Sequence, residues 1–294
     1  MKQIRTFSTL LFFTGVFIAG CDKNTTEPED SSILYEDAAE SISAAMGDES
    51  GGAMESVADI YSVAGGVPLG SGLAKSSGEE SVMTVAGPPV YDPITKWWSV
   101  TIDRSRSGVY VNASVQRVYQ YQFQKNGVVQ QNRITGTDTA NTLKFKIVSG
   151  SGFFRNPRVH HNLTMLKGGW TATKIDKDTV VLNSDTTFVR SGVDSIITRN
   201  MIRTFTHTTT MEFSDVKGLR YKPSMMNWRN NFSQAVSGTI NGTYNATITF
   251  QRGSAYKERT VSKTFIINLG AGAGSLTING GGKFTMDLRD GNRK

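Results

Sequence analysis

Val109-Tyr110-Val111-Asn112-Ala113-Ser114-Val115-Gln116-Arg117-Val118-Tyr119-Gln120-Tyr121-Gln122-Phe123 reads with a period of two. The odd positions are Val, Val, Ala, Val, Arg, Tyr, Tyr and Phe, while most even positions are Asn, Ser or Gln. Such alternation predicts a strand with one dry and one wet face. Arg117 alone breaks the dry face. At about 3.3 Å per residue the strand would run close to 50 Å unbroken.

The same period recurs downstream. Leu143, Phe145 and Ile147 alternate with Lys144 and Lys146. Val159, His161, Leu163 and Met165 share a face, as do Met201, Phe205, Met211 and Phe213. Phe265, Ile267 and Leu269 follow, then Leu276 and Ile278, then Phe284, Met286 and Leu288. Turn residues separate these runs at Lys125-Asn126-Gly127, 150–152, 270–274 and 279–282. Between Val236 and Phe250 the apolar residues sit on even numbers. A two-residue turn at Asn241-Gly242 would send Tyr244 to the wet face, so the pattern prefers a continuous strand or a three-residue loop. With about ten to twelve strands and no convincing helix between them, the expected fold is mainly β and antiparallel. Strands this long suit a large curved sheet, a half-barrel or an up-and-down barrel better than a tight immunoglobulin sandwich. A membrane β-barrel shares the alternation, but a lipid anchor would be redundant on one.

Upstream the period changes. Leu34, Ala38, Ile42, Ala45 and Met46 recur at helical spacing before Gly47. Met54, Val57, Ala58, Tyr61 and Ala64 do so before Gly65-Gly66. Two short helices of this apolar content are marginal alone. Residues 65–93, rich in Gly, Ser and Pro, read as a linker or loosely docked segment. The expected organisation is residues 1–20 as a removed leader, 21–93 as tether, helices and linker, and 94–294 as the β domain. Charge divides along the same line: residues 22–90 hold 13 acids and 2 bases, and residues 91–294 hold 28 bases and 12 acids. The bland reading is a soluble acidic spacer beside a basic domain. The alternative is that the arm folds against that domain, or shields it until a partner arrives.

The chain opens with Lys2 and Arg5, an apolar run from Phe7, and then Ile18-Ala19-Gly20-Cys21. A basic start and a short apolar core make a secretory signal, too short for an ordinary spanning helix. The last four residues resemble the lipobox of bacterial lipoproteins. The resemblance implies cleavage before Cys21, a diacylglyceryl group on its sulfur, and usually a third acyl chain on the freed amine. Several chains anchor durably, at about 0.8 kcal/mol per buried CH₂. Residues 22–32 then read as a solvated tether. The expected location is the bacterial cell envelope, with the outer membrane favoured and the leaflet open.

Little catalytic chemistry is legible. One cysteine excludes a disulfide framework and a cysteine-based zinc site. No stretch is long and apolar enough for a spanning helix, which excludes a polytopic helical membrane protein. No nucleophile elbow, Walker loop, zinc-protease or calcium-loop pattern occurs, and no cofactor is implied. His160, His161 and His207, with Glu212 as a third ligand type, could meet a metal. Yet His160 and His161 would point to opposite faces of a strand and cannot easily join one site, so the expected reading is structural histidines and no metal site. Two loops mix rings with cations. Phe153–His161 contains Phe154, Arg155 and Arg158. Tyr221–Phe232 contains Met225, Met226, Trp228, Arg229 and Phe232. These residues suit an amphipathic or anionic ligand, such as an envelope glycan, lipid head group or acidic peptide; equally, the rings could cap the sheet's core while the cations stay wet. Nucleic acid is a poor partner outside the cytoplasm. The sequence thus points to a lipid-anchored, non-enzymatic binding or structural module. The alternative is an envelope hydrolase with a dispersed active site. A cleft joining His160 or His161 with His207 and a carboxylate would favour the enzyme. A dry concave face around Tyr119, Tyr121, Ile248 and Phe250 without titratable groups would favour the binder.

Overall fold

The computed structural model describes residues 31–48, 50–67, 69, 81–85, 87–107, 112–155, 159–198, 201–222 and 228–293. Residues 1–20, expected as a leader, and Cys21 lie outside the described residues, as do Arg158, Met225, Met226 and the side chain of Arg229.

Two helices come first, α1 (Ser31–Met46) and α2 (Ala53–Ala64). The strands are β1 (Ser81–Val85), β2 (Val90–Asp92), β3 (Trp97–Ser107), β4 (Asn112–Lys125) and β5 (Val128–Gln130). The small hairpin β6 (Ile134–Thr135) and β7 (Asp138–Thr139) precedes β8 (Thr142–Arg155), β9 (Val159–Thr173), β10 (Thr179–Thr198) and β11 (Met201–Leu219). A short helix, α3 (Trp228–Asn231), runs into a 3₁₀ turn at Phe232–Ala235. The chain then makes β12 (Ser237–Arg252), β13 (Ala255–Gly270), β14 (Ala273–Ile278) and β15 (Gly282–Asp287).

Thirteen strands form one antiparallel sheet in the order β1-β3-β4-β8-β9-β10-β11-β12-β13-β14-β15, with β2 on β3 and β5 on β4. The first and last strands of that order do not pair, so the sheet is curved but not closed, and the closed up-and-down barrel is not formed. Curvature has visible causes. Registers slip between Leu182 and Phe188 in β10 and between Val118 and Tyr119 in β4, and bulges of this kind bend and twist a strand. In the first of these, the Ser184 and Asn183 side chains accept hydrogen bonds from the Phe213 and Asp215 backbone N–H groups (2.9 and 2.8 Å). Tight turns carry the links. Asn126-Gly127 and Ala271-Gly272 both have two consecutive positive φ angles (50° and 83°, 48° and 79°), the geometry of a two-residue hairpin turn.

The alternation predicted for β4 is present: Arg117, Tyr119, Tyr121 and Phe123 are buried. Ser237–Arg252 is one continuous strand through Asn241-Gly242, with Ile240, Tyr244, Ala246 and Ile248 buried. What covers this inward face is the helical arm. Every residue of α2 is buried, as are Ala38, Ala39, Ile42, Ala45 and Met46 of α1. Full burial of an Ile, Val or Met side chain contributes about 1.5–3 kcal/mol, which offsets the weak helicity of the arm. The spacer reading therefore gives way to docking for α1 and α2. The compact body runs from Ser32 to Lys294 without a break at residue 93, and residues 81–85 and 90–92, expected in a linker, are strands on β3. Among the described residues no helix is long and apolar enough to cross a membrane.

Candidate functional site

The inward face is basic as well as apolar. Arg117, the residue that broke the alternating pattern, meets Glu55 of α2 (Nη2 to Oε2, 2.6 Å) and donates to the Gly51 carbonyl (2.7 Å). Arg104 spans Glu55 and Asp59 (2.6 and 2.8 Å). The Tyr119 hydroxyl donates to Asp59 Oδ2 (2.8 Å) and accepts from Arg117 Nη1 (3.0 Å). On α1, Asp37 accepts from Arg203 (2.9 Å) and Arg259 (3.2 Å), and Tyr244 donates to Ser41 (3.2 Å). Burial holds the Asp37 carboxyl above its usual range, although both arginines pull it down. The arm is thus fixed by charge pairs that are largely out of water.

A second cluster lies on the same face. His161 and Asp194 are direct partners across β9 and β10, and His207 faces Gly192 across β10 and β11. His161 Nδ1 donates to Asp194 Oδ1. His207 Nε2 lies 3.0 Å from Asp194 Oδ2, so one carboxylate faces both imidazoles. The imidazoles of His161 and His207 stack at 6.1 Å, and His207 stacks on Tyr244 at 6.0 Å. Arg190 donates from Nη2 to His161 Nε2 (2.5 Å). Burial opposes ionisation of Asp194, but the hydrogen bond from His161 and the nearby His207 outweigh it and hold the carboxyl well below the usual range. Burial, reinforced by Arg190, pushes His161 below its usual value and keeps it neutral.

Ligand atoms of His161, Asp194 and His207 lie within 4.8 Å of one another, a spacing that a divalent ion could bridge. The local chemistry opposes this. Arg190 donates to His161 Nε2, so that nitrogen offers its lone pair and the ring proton sits on Nδ1, facing Asp194. Both nitrogens are engaged, and a guanidinium stands where a cation would bind. The cluster has the composition named above for an enzyme, but it lies beneath the arm with its basic nitrogen occupied. Glu212, considered as a third ligand, is exposed: it has even parity on β11, opposite to His207. His160 is likewise exposed while His161 is buried, as adjacent strand residues must be.

The described parts of the two predicted loops do not meet. Trp228 is buried, donates from Nε1 to the Leu219 carbonyl (3.1 Å) and packs on Tyr221 and Phe232. Phe232 meets Tyr61 of α2 edge-on at 5.5 Å. These rings cap one end of the core. Phe154 pairs with His161 across β8 and β9, in the row that continues through Asp194 to Phe205. Arg155 is exposed, with its guanidinium 5.2 Å from the Phe153 ring. Phe205 and Leu219 stand towards opposite ends of β11, about 45 Å apart along an extended strand, so one ligand of ordinary size cannot touch both Phe154 and Trp228. On the outer face, Thr210, Glu212, Asn241, Thr243, Phe265 and Ile266 are among the residues that line a depression of about 560 Å³. Sequence reasoning did not find Asp194 or Arg190. The polar bulge of β10 hides that strand's alternation. No family model, curated protein or solved structure matches the chain.

Proposed function

We propose that this is an exported bacterial lipoprotein, held in the cell envelope by acyl chains on Cys21. In this reading it is a non-enzymatic binding or structural module for an amphipathic or anionic ligand. The observation that carries the reading is the pairing of Asp37, Glu55 and Asp59 with Arg104, Arg117, Arg203 and Arg259. A concave face of arginines and aromatic rings is complementary to an acidic amphipathic helix, and the chain's own arm is such a helix pair. An outside ligand of the same chemistry competes with an arm whose covalent linkage gives it an effective concentration of about millimolar. Membrane barrels carry their apolar residues outward, whereas here the apolar side faces the arm. Hydrolysis by His161 would need Nε2, which Arg190 occupies.

Intact and native mass spectrometry of the full chain, extracted from envelopes in detergent, tests both halves. The wild type should lack residues 1–20 and carry acyl mass that Cys21→Ser lacks. A full-mass chain with a free thiol overturns the anchor. A co-purified amphiphile or anion, retained more strongly by Asp37→Asn because α1 is then held less firmly, supports the binding module. Empty spectra from both proteins overturn it.

A further inference from the structure

One end of the sheet is built differently from the rest. From Arg155 through His160, Ser195, Thr204 and Thr249 to Glu258, a single row of partners crosses six strands, β8 to β13. The β8–β9 pairing stops at this row. The hairpins β10–β11 and β12–β13 continue past it by three residue pairs each, ending at Thr198–Met201 and Arg252–Ala255. A four-stranded lip therefore projects by about 10 Å.

The outer face changes character on the lip. Nearer the middle it is hydroxyl-rich, as in the row Thr206–Thr247–Thr260. On the lip the row becomes Ile202–Gln251–Tyr256, with Ile202 44% and Tyr256 63% exposed. Beside the lip, the adjacent Phe153 and Phe154 are both only half-buried. Cations surround these side chains: Arg252 and Lys257 are exposed on the lip, and Arg155 is exposed beside Phe153. Among the described residues, from that row outward on β8 to β13, the one carboxylate is Glu258, which accepts from the Tyr256 hydroxyl (2.7 Å). The opposite end also exposes apolar residues, Ile94, Val128 and Ile134. There, however, Asp92 and Asp138 accompany them, and Asp178 pairs with Lys222 (2.8 Å).

We propose that the β10–β13 lip docks on the anionic surface of a lipid bilayer. Ile202 and Tyr256 enter the head-group layer, the level that amphipathic rings favour. Arg155, Arg252 and Lys257 lie along the lipid phosphates, since cations near an anionic leaflet are attracted within a Debye length. The proposal rests on the envelope reading above and adds which end of the molecule meets the membrane. The course of α1 agrees with it. At the C-terminal end of α1 the Asp48 N–H donates to the Leu288 carbonyl, while Tyr35 lies against Gly282, at the end of β15 nearer the lip. Asp37 pairs with Arg203 of the lip itself. As its numbering falls, α1 thus runs towards the lip. The compact body starts at Ser32, and the eleven residues of chain back to Cys21 span up to about 36 Å. That reach lets acyl chains on Cys21 and the lip meet the same bilayer.

Spin-label depth on the full chain in vesicles tests this. Acylation consumes the sole native thiol, so Ile202→Cys, or Val128→Cys as the control at the opposite end, accepts a single nitroxide. Collision with oxygen marks lipid, and collision with a nickel chelate marks water. In phosphatidylcholine mixed with phosphatidylglycerol, the label at 202 should be reached by oxygen and be at least threefold less accessible to nickel than the label at 128. This difference should fall by at least half in phosphatidylcholine alone, and in a variant combining Arg155→Gln, Arg252→Gln and Lys257→Gln. Equal nickel access at the two positions, or burial of 128 instead, overturns the proposal. So does a difference that survives both changes of charge, and so does shielding of 202 from both reagents, which marks a protein contact. Label stoichiometry keeps the two readings apart. Two nitroxides per chain mean that Cys21 is unacylated and the anchor has failed; the comparison of 202 with 128 in a Cys21→Ser background then decides the lip alone.

Discussion

Tyr61 lies against Gly218, with no room for a methyl group between them. A Cβ on Gly218 would stand 2.3 Å from the Tyr61 ring, while the Tyr61 hydroxyl donates to the Val216 carbonyl two residues away (2.9 Å). Glycine at this point of β11 lets α2 approach the sheet backbone. Gly218→Ala is therefore expected to unseat α2 and to destabilise by about 2–4 kcal/mol, in the range of core overpacking and above. Tyr61→Phe keeps the ring and should lose only about 1 kcal/mol, plus the cost of an unpaired carbonyl. Urea denaturation of both variants checks the order.

Glu55 bridges two arginines, and one of them, Arg117, is out of water. Glu55→Gln leaves that guanidinium without its carboxylate and is expected to cost about 3–5 kcal/mol. Adding Arg117→Met removes the stranded charge and should recover at least half of the loss. A double-mutant cycle by chemical denaturation measures it.

Trp228 is a core residue rather than an exposed ligand contact. Trp228→Ala should lower stability by about 3–5 kcal/mol, as large aromatic truncations do. Any ligand that still binds the folded fraction should do so with unchanged affinity. Denaturation and a binding isotherm on the same sample separate the two effects.

The histidine cluster sets an acid limit. His161 is pushed down by burial and then by Arg190, so its neutral form belongs to the fold. The corresponding stability is present above the unfolded value near 6.5 and is lost as pH falls through the lower folded value. Asp194, depressed by His161 and His207 against its burial, adds stability above 3.8 that is lost in stronger acid. Asp37, raised by burial, acts in the opposite sense: its penalty is present above its raised folded value and is relieved as pH falls through that value towards 3.8. Urea midpoints should therefore fall from pH 7 to pH 5 in the wild type and flatten over that interval in His161→Gln.

Much of the fold was legible because strand parity is local. The odd residues of β4, the even residues of β12 and the turn at Asn126-Gly127 each report on their own backbone, and Gly47 and Gly65-Gly66 mark where the helices stop. Closure of the sheet was not legible, since it depends on bulges such as that between Leu182 and Phe188. The docking of the arm was half legible. Arg117 stood out as the break in an apolar row, but nothing local says that its partner is Glu55, 62 residues earlier. The Asp194 cluster was hidden for the same reason: His161 and His207 come from separate strands and meet a carboxylate on a third.

The order of elements also governs how the molecule can be made. Asp37 touches Arg259, 222 positions further along the chain, and Tyr61 reaches Val216, 155 positions further along. During synthesis the arm emerges first and finds none of its partners, because the strands that enclose it follow. Such long-range closure is slow, so acquisition of the final state waits for nearly the whole polypeptide. Until then two weak, oily segments need protection from aggregation.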